Sequence, residues 1–169
     1  MLSKSLTIGI GLAVMLGLSG ASAWAEDSPA ALAKVLPEAT VSLDQGLRTS
    51  EREGKPISGK YEIDDGALQL SVYTMKGDQF TEVIVDHKSG SIKKAEPITD
   101  ADDLKNAKGQ GEAIGKSKVS LSAAVASAVM ANGGYRAVSA MPTLEGGHPV
   151  ASITLMKGED VKKVTEKLD

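Results

Sequence analysis

The chain contains no cysteine and only two histidines in 169 residues, and aromatic side chains make up 3% of it. Without cysteine there is no disulfide framework, iron–sulfur cluster, thiolate zinc site or covalent c-type haem. Two histidines cannot build a three-histidine catalytic metal centre. An excess of positive charge is missing as well. Nineteen Lys and Arg face 22 Asp and Glu, for a formal net charge of −3, so the basic footprint of a nucleic-acid binder is absent. One Phe, one Trp and three Tyr offer no stacking platform for single strands.

The long apolar run is confined to the N-terminus. Lys4 precedes Leu6 to Leu18, a stretch short for a permanent membrane span. Ala23-Trp24-Ala25 then fits the A-x-A pattern of a signal-peptidase site. A secretory signal over residues 1–25 is expected, with cleavage after Ala25, Ala23 as the second choice, and an uncleaved anchor as the competing reading. The junction has no cysteine to carry a lipid. The expected location is periplasmic or secreted, with no permanent membrane span after cleavage.

Two sets of anchors recur further along. Val41-Ser42-Leu43 returns as Val119-Ser120-Leu121, 78 residues on, and Met75-Lys76-Gly77 returns as Met156-Lys157-Gly158, 81 residues on. Ile63-Asp64-Asp65-Gly66 matches Leu144-Glu145-Gly146-Gly147 in type, and Ser71-Val72 matches Ser152-Ile153. Two copies of one supersecondary unit explain this spacing better than chance likeness between amphipathic strands. The three-residue difference is expected between the helix and the first strand of each unit.

Each unit reads as a helix followed by antiparallel strands. Ser42 and Gln45 form a capping-box pattern ahead of Leu43 and Leu47, and Gly54 is a natural stop. Ile57, Tyr61 and Ile63 alternate in a strand that ends at Asp65-Gly66, a hairpin signal. Leu68, Leu70 and Val72 alternate in the next strand, Phe80 to Val85 make a third, and Ser91-Ile92 begin a short fourth. In the second unit Leu121, Val125 and Val129 line a helix that ends at Asn132-Gly133-Gly134, with strands near 135–144 and 150–156. The tail from Val161 to Leu168 has helical spacing, but the repeat places a strand there, and the repeat is followed. Ser28-Pro29 opens a short helix that Pro37 ends. The expected organisation is a leader (1–25), a first unit with its short N-terminal helix (26–96), a mobile and partly helical linker (97–117), and a degenerate second unit (118–169). The fold class is α+β.

Val41-Ser42-Leu43, Leu70-Ser71-Val72-Tyr73 and Glu82-Val83-Ile84-Val85-Asp86-His87-Lys88-Ser89-Gly90 carry a resemblance to the PepSY domain. That domain occurs in propeptides of thermolysin-type metallopeptidases and in small secreted bacterial proteins. The second unit resembles a degenerate copy that keeps the helix, the middle strand and Lys157-Gly158 but lacks the Asp-x-x-Ser-Gly turn. The resemblance covers most of residues 38–169. It implies a non-enzymatic α+β module that binds another extracytoplasmic protein, with inhibition or modulation of a peptidase as the family's proposed role. It carries over no catalytic residue.

Catalytic signatures are missing: there is no Gly-x-Ser-x-Gly elbow, His-Glu-x-x-His helix, P-loop or dinucleotide fingerprint. No catalytic, cofactor-binding or metal-ligating residue is therefore assigned. His87 beside Asp86 supports the competing reading, a small-ligand or metal-responsive binding protein, but both His87 and His148 lie in turn contexts. Asp100, Asp102 and Asp103 lack the EF-hand glycine and glutamate and read as the acidic start of a helix. Tyr61, Tyr73 and Tyr135 read as half-buried strand residues. In the strand from Ala67 to Met75, alternation puts Gln69, Ser71, Tyr73 and Met75 opposite the apolar row. That outer row is the expected protein-contact surface, and an exposed strand edge is the expected place for an added peptide strand.

Overall fold

The computed structural model describes residues 28–169, so the leader and its cleavage site lie outside the described residues. Ser28 caps α1 (Pro29–Val35), which runs into a 3-10 turn at Leu36–Glu38 containing Pro37. Next come α2 (Leu43–Ser50) and four strands: β1 (Lys55–Asp64), β2 (Ala67–Lys76), β3 (Gln79–Val85) and β4 (Ile92–Pro97). The second half contains α3 (Ala101–Lys116), α4 (Leu121–Ala131), β5 (Arg136–Glu145), β6 (His148–Lys157) and β7 (Asp160–Lys167). The C-terminal tail is thus a strand. Capping follows the sequence, since the Gln45 side chain accepts from the Ser42 N–H at 2.8 Å, and Ser120 Oγ accepts from the Ala123 N–H at 3.2 Å.

All seven strands form one antiparallel sheet in the order β4-β3-β2-β1-β5-β6-β7. The two halves meet at β1 and β5, where Gly59 pairs with Ala140 and Lys60 with Ser139. Their internal registers coincide at the spacing seen in the sequence. Ser58 faces Tyr73 in the first hairpin, and Ser139 faces Thr154 in the second, 81 residues on. Each hairpin breaks register once, between Pro56 and Ser58 and between Ala137 and Ser139. The connections match too: the His87 carbonyl accepts from the N–H groups of Thr40 and Val41, and the Leu168 carbonyl accepts from those of Lys118 and Val119. The three extra residues of the second half lengthen its helix, which has 11 residues in α4 against eight in α2.

Helices cover both faces. On one side α2 and α4 pack against each other and the sheet. Gly46 of α2 lets the helix approach so closely that a β-carbon there would meet Leu70 Cδ2 at 2.6 Å. Leu43, Leu47, Ile57, Leu70, Val72, Val125, Ile153 and Leu155 fill this layer and are fully buried. Residues 97–117 read as a mobile, partly helical linker; the helix extends over most of them as α3, which packs on the opposite face. Asp100 caps α3, its Oδ1 accepting from the N–H groups of Asp102 and Asp103. Gly111 lies against Met75 and Phe80, and Lys55 Nζ donates to the Ile114 carbonyl at 3.0 Å. The helix buries Ala107, Gln110, Gly111, Ala113 and Ile114, so small side chains allow it to lie close to the strands.

Two glycine substitutions should move stability in opposite directions. A β-carbon at Gly54 would lie 2.7 Å from the Met75 backbone oxygen, which cannot step aside, so Gly54→Ala should cost about 1–3 kcal/mol. Gly115 of α3 has open space around it, so Gly115→Ala should stabilise by about 0.5–1 kcal/mol through helix propensity. Urea unfolding midpoints of the two variants against the parent chain measure both.

Candidate functional site

Alternation along the central strands sends Ser58, Lys60 and Glu62 of β1, and Ser71 and Tyr73 of β2, toward the α3 face. In an isolated strand these side chains read as a solvated row. Under α3 they become interior, and they satisfy one another. Lys60 Nζ lies 2.5 Å from Glu62 Oε2, and Ser71 Oγ donates to Glu62 Oε1 at 2.6 Å. The Gln69 amide donates to Ser71 Oγ at 3.0 Å, and Tyr73 Oη donates to Glu82 Oε1 at 3.2 Å. Ser58 Oγ donates to Gln110 Oε1 at 2.7 Å, which fixes α3 to β1 through a buried bond.

A cavity of about 510 Å³ opens beside this network. Its walls come from α1, β1, α3, β5, β6 and β7. Leu32, Tyr61, Val138, Met141, Pro142, Met156 and Val161 give it an apolar lining, and Lys60, Glu62, Gln110, Ser139 and Thr154 give a polar wall. Lys105 and Thr143 also line it and are exposed. Its volume and mixed lining are those of a small-molecule site. Met141 and Met156 add adaptable surface, because an unbranched thioether side chain can refit to different shapes. The Gln110 amide donates toward Met141 Sδ at 3.7 Å, so the roof helix and the β5 wall touch directly.

One corner is held by Arg136. Its guanidinium donates to the carbonyls of Ala39 at 2.8 Å and Val41 at 2.5 Å, and its Cζ lies 5.2 Å from the centre of the Tyr61 ring. Tyr61 donates its hydroxyl to the Val41 carbonyl. Burial raises the Tyr61 hydroxyl above its usual pKa, with Arg136 pulling the other way. This guanidinium ties the first strand of the second half to the segment that places α1 at the cavity.

The residues singled out as a contact surface are mostly under cover. Ser71 is fully buried, Tyr73 is 5% exposed, and Gln69 and Met75 are half-buried. The expectation of an open outer face is corrected by α3, which the sequence concealed as a linker. His87 is half-buried in its turn; its carbonyl pins the approach to α2, and its Nε2 is shielded without a hydrogen-bond partner. Asp86, beside it, accepts from the backbone N–H groups of Ser89 and Lys88 and faces Lys93, which holds its carboxyl well below the usual range. His148 is exposed and lies 2.8 Å from Asp169. Among the described residues no three His, Asp or Glu side chains gather closely enough to hold a metal ion. No described helix is long and apolar enough to cross a membrane.

No family model and no curated protein matches the chain. Among solved structures, the chain is similar to a “putative lipoprotein” from Clostridium difficile 630, with 11% identity and a TM-score of 0.41 over 71% of this chain and 79% of that one.

The Glu82 carboxylate beside Tyr73 should leave a mark on stability. Burial raises the Glu82 pKa above its ordinary value, with the Tyr73 hydrogen bond opposing the shift. The folded state therefore binds the Glu82 proton more tightly than the unfolded chain does, and stability falls as pH rises from the unfolded value through the folded one. Glu82→Gln keeps an acceptor for Tyr73 and has no charge to bury. Denaturation midpoints between about pH 4 and pH 7 should fall less steeply with pH in this variant than in the parent.

Proposed function

We propose that this chain is an exported, non-enzymatic binding protein, built from two PepSY-like units, that takes an amphipathic small molecule into the cavity beneath α3. The observation that carries the reading is the cavity itself, about 510 Å³ of apolar wall with a polar side already hydrogen-bonded. Two of the charges in its lining, Lys60 and Glu62, neutralise each other as an ion pair. Lys105 is then the charge of the lining without a counterpart in it, and it stands on the exposed side. The complementary ligand has an apolar body and one anionic head.

Export rests on the leader pattern of residues 1–25, and the unit architecture on the coincident registers of the two hairpins. A peptidase partner rests on the PepSY resemblance alone. The face read for a protein partner lies under α3, so the cavity is the better-supported binding element.

Calorimetric titration with decanoate, decylamine and decanol tests the reading. Decanoate should bind tightest, Lys105→Glu should weaken it at least about tenfold, which is about 1.4 kcal/mol, and Thr143→Trp at the exposed rim should abolish binding while leaving the melt unchanged. Binding of none of the three amphiphiles, or decanoate binding indifferent to both substitutions, would remove the cavity as the functional element.

A further inference from the structure

The turn after α4 carries the dipeptide Asn132-Gly133. Asparagine is a thermolabile residue, and a glycine after it leaves the side chain open to attack by the backbone. The Gly133 nitrogen bonds to Asn132 Cγ and gives up its proton, and the side-chain nitrogen leaves as ammonia. Water then opens the five-membered imide at either carbonyl, which yields aspartate or isoaspartate. Glycine permits the approach because no β-carbon crowds its nitrogen. Gly133 is exposed, with open space around it. Asn106, the other asparagine of the chain, precedes Ala107 and lacks this opening.

The fold holds the Asn132 side chain at both ends. Its Nδ2 donates to the Ala128 carbonyl at 2.8 Å, which satisfies one of the carbonyls that the end of α4 leaves without a helical partner. Its Oδ1 accepts from Lys162 Nζ on β7. The backbone is held as well, since the Asn132 N–H donates to the Val129 carbonyl and its carbonyl accepts from the Tyr135 N–H, both at 3.1 Å. Asn132 stands at a ψ of 69°, whereas closing the imide ring needs a ψ of opposite sign. The rotation that brings Cγ to the Gly133 nitrogen therefore breaks these bonds.

The reaction would change the end of the helix. Either product loses the donor to Ala128 and puts a negative charge at the C-terminal end of α4, where the helix dipole disfavours it. Isoaspartate also adds a methylene to the main chain between α4 and β5.

We propose that Asn132 is a site of spontaneous deamidation, held off in the folded chain by its bonds to Ala128 and Lys162. The acid then accumulates in chains whose α4 end has opened. Water is the sole co-reactant, and the cavity plays no part.

Peptide mapping by mass spectrometry, with an isoaspartate assay, follows both asparagines of the purified full chain during incubation in mildly alkaline buffer. In denaturant, Asn132 should convert at least about tenfold faster than Asn106. In the folded chain it should convert at least about tenfold more slowly than in denaturant. Lys162→Met should speed conversion in the folded chain by about three- to tenfold, the size of one hydrogen bond. Lys162→Arg keeps a donor and should stay at the parent rate. Gly133→Ala has room for its β-carbon and should slow conversion in both states. Circular dichroism melts that match the parent confirm that each variant is folded. An Asn132 no faster than Asn106 in denaturant overturns the site. Equal rates in the folded and denatured chain, or a Lys162→Met variant as slow as the parent, overturn the protective hold.

Discussion

Gly59 facing Ala140 and Lys60 facing Ser139 are the pairs that join the halves of this sheet. They are few for the middle of a seven-stranded sheet, and the rest of the architecture compensates for that. On one face α2 and α4 pack against each other across the seam. On the other, α3 spans β1 and β5, with Gln110 meeting both Ser58 and Met141. Arg136 adds a third tie, from the start of β5 to the carbonyls ahead of α2. The two halves are thereby made into one core, which a chain without disulfides needs in order to bury enough apolar surface.

The cavity is a consequence of that seam. The β1–β5 ladder stops where β5 breaks register between Ala137 and Ser139, and residues at this point, Tyr61, Val138 and Ser139, line the cavity. Had the ladder continued, the strands would have stayed at ladder spacing along their length. The roof is the helix richest in glycine among those described, and its small side chains set it close to β1 and β5 at Gln110. The cavity therefore follows from how the two halves are joined, and neither half alone carries its walls.

Much of the backbone could be read directly from the residues. Asp65-Gly66 and Gly146-Gly147 mark the two long hairpins, and Val41-Ser42-Leu43 with Val119-Ser120-Leu121 mark the helix starts, because turns and caps depend on local chemistry. The tail reads as a strand only through the repeat, because the spacing of Val161, Val164 and Leu168 is helical. What was not legible is what depends on tertiary cover. Helix α3 carries Gly109, Gly111 and Gly115 and a weak apolar stripe, so it resembles a linker until it is seen lying on Met75 and Phe80. Once it is there, Ser71 and Tyr73 change from surface to interior. The polar row of Ser58, Lys60 and Glu62 was a faint signal of this, since two charged residues on one side of an apolar strand suit a solvated face or a paired, covered one equally well. The cavity draws on six elements spread from Pro29 to Val161, and no local pattern announces such a meeting.

If the β1–β5 seam holds the fold together, the two halves open as one cooperative structure. Native-state hydrogen exchange, followed at amides of β2 and β6 in increasing denaturant, tests it most directly. The slowest amides of both strands should share one opening free energy and one denaturant dependence, because neither strand is released without the other. If β6 opened at a lower free energy while β2 stayed protected, the halves would be separate folding units, and the seam would not be what holds this protein together.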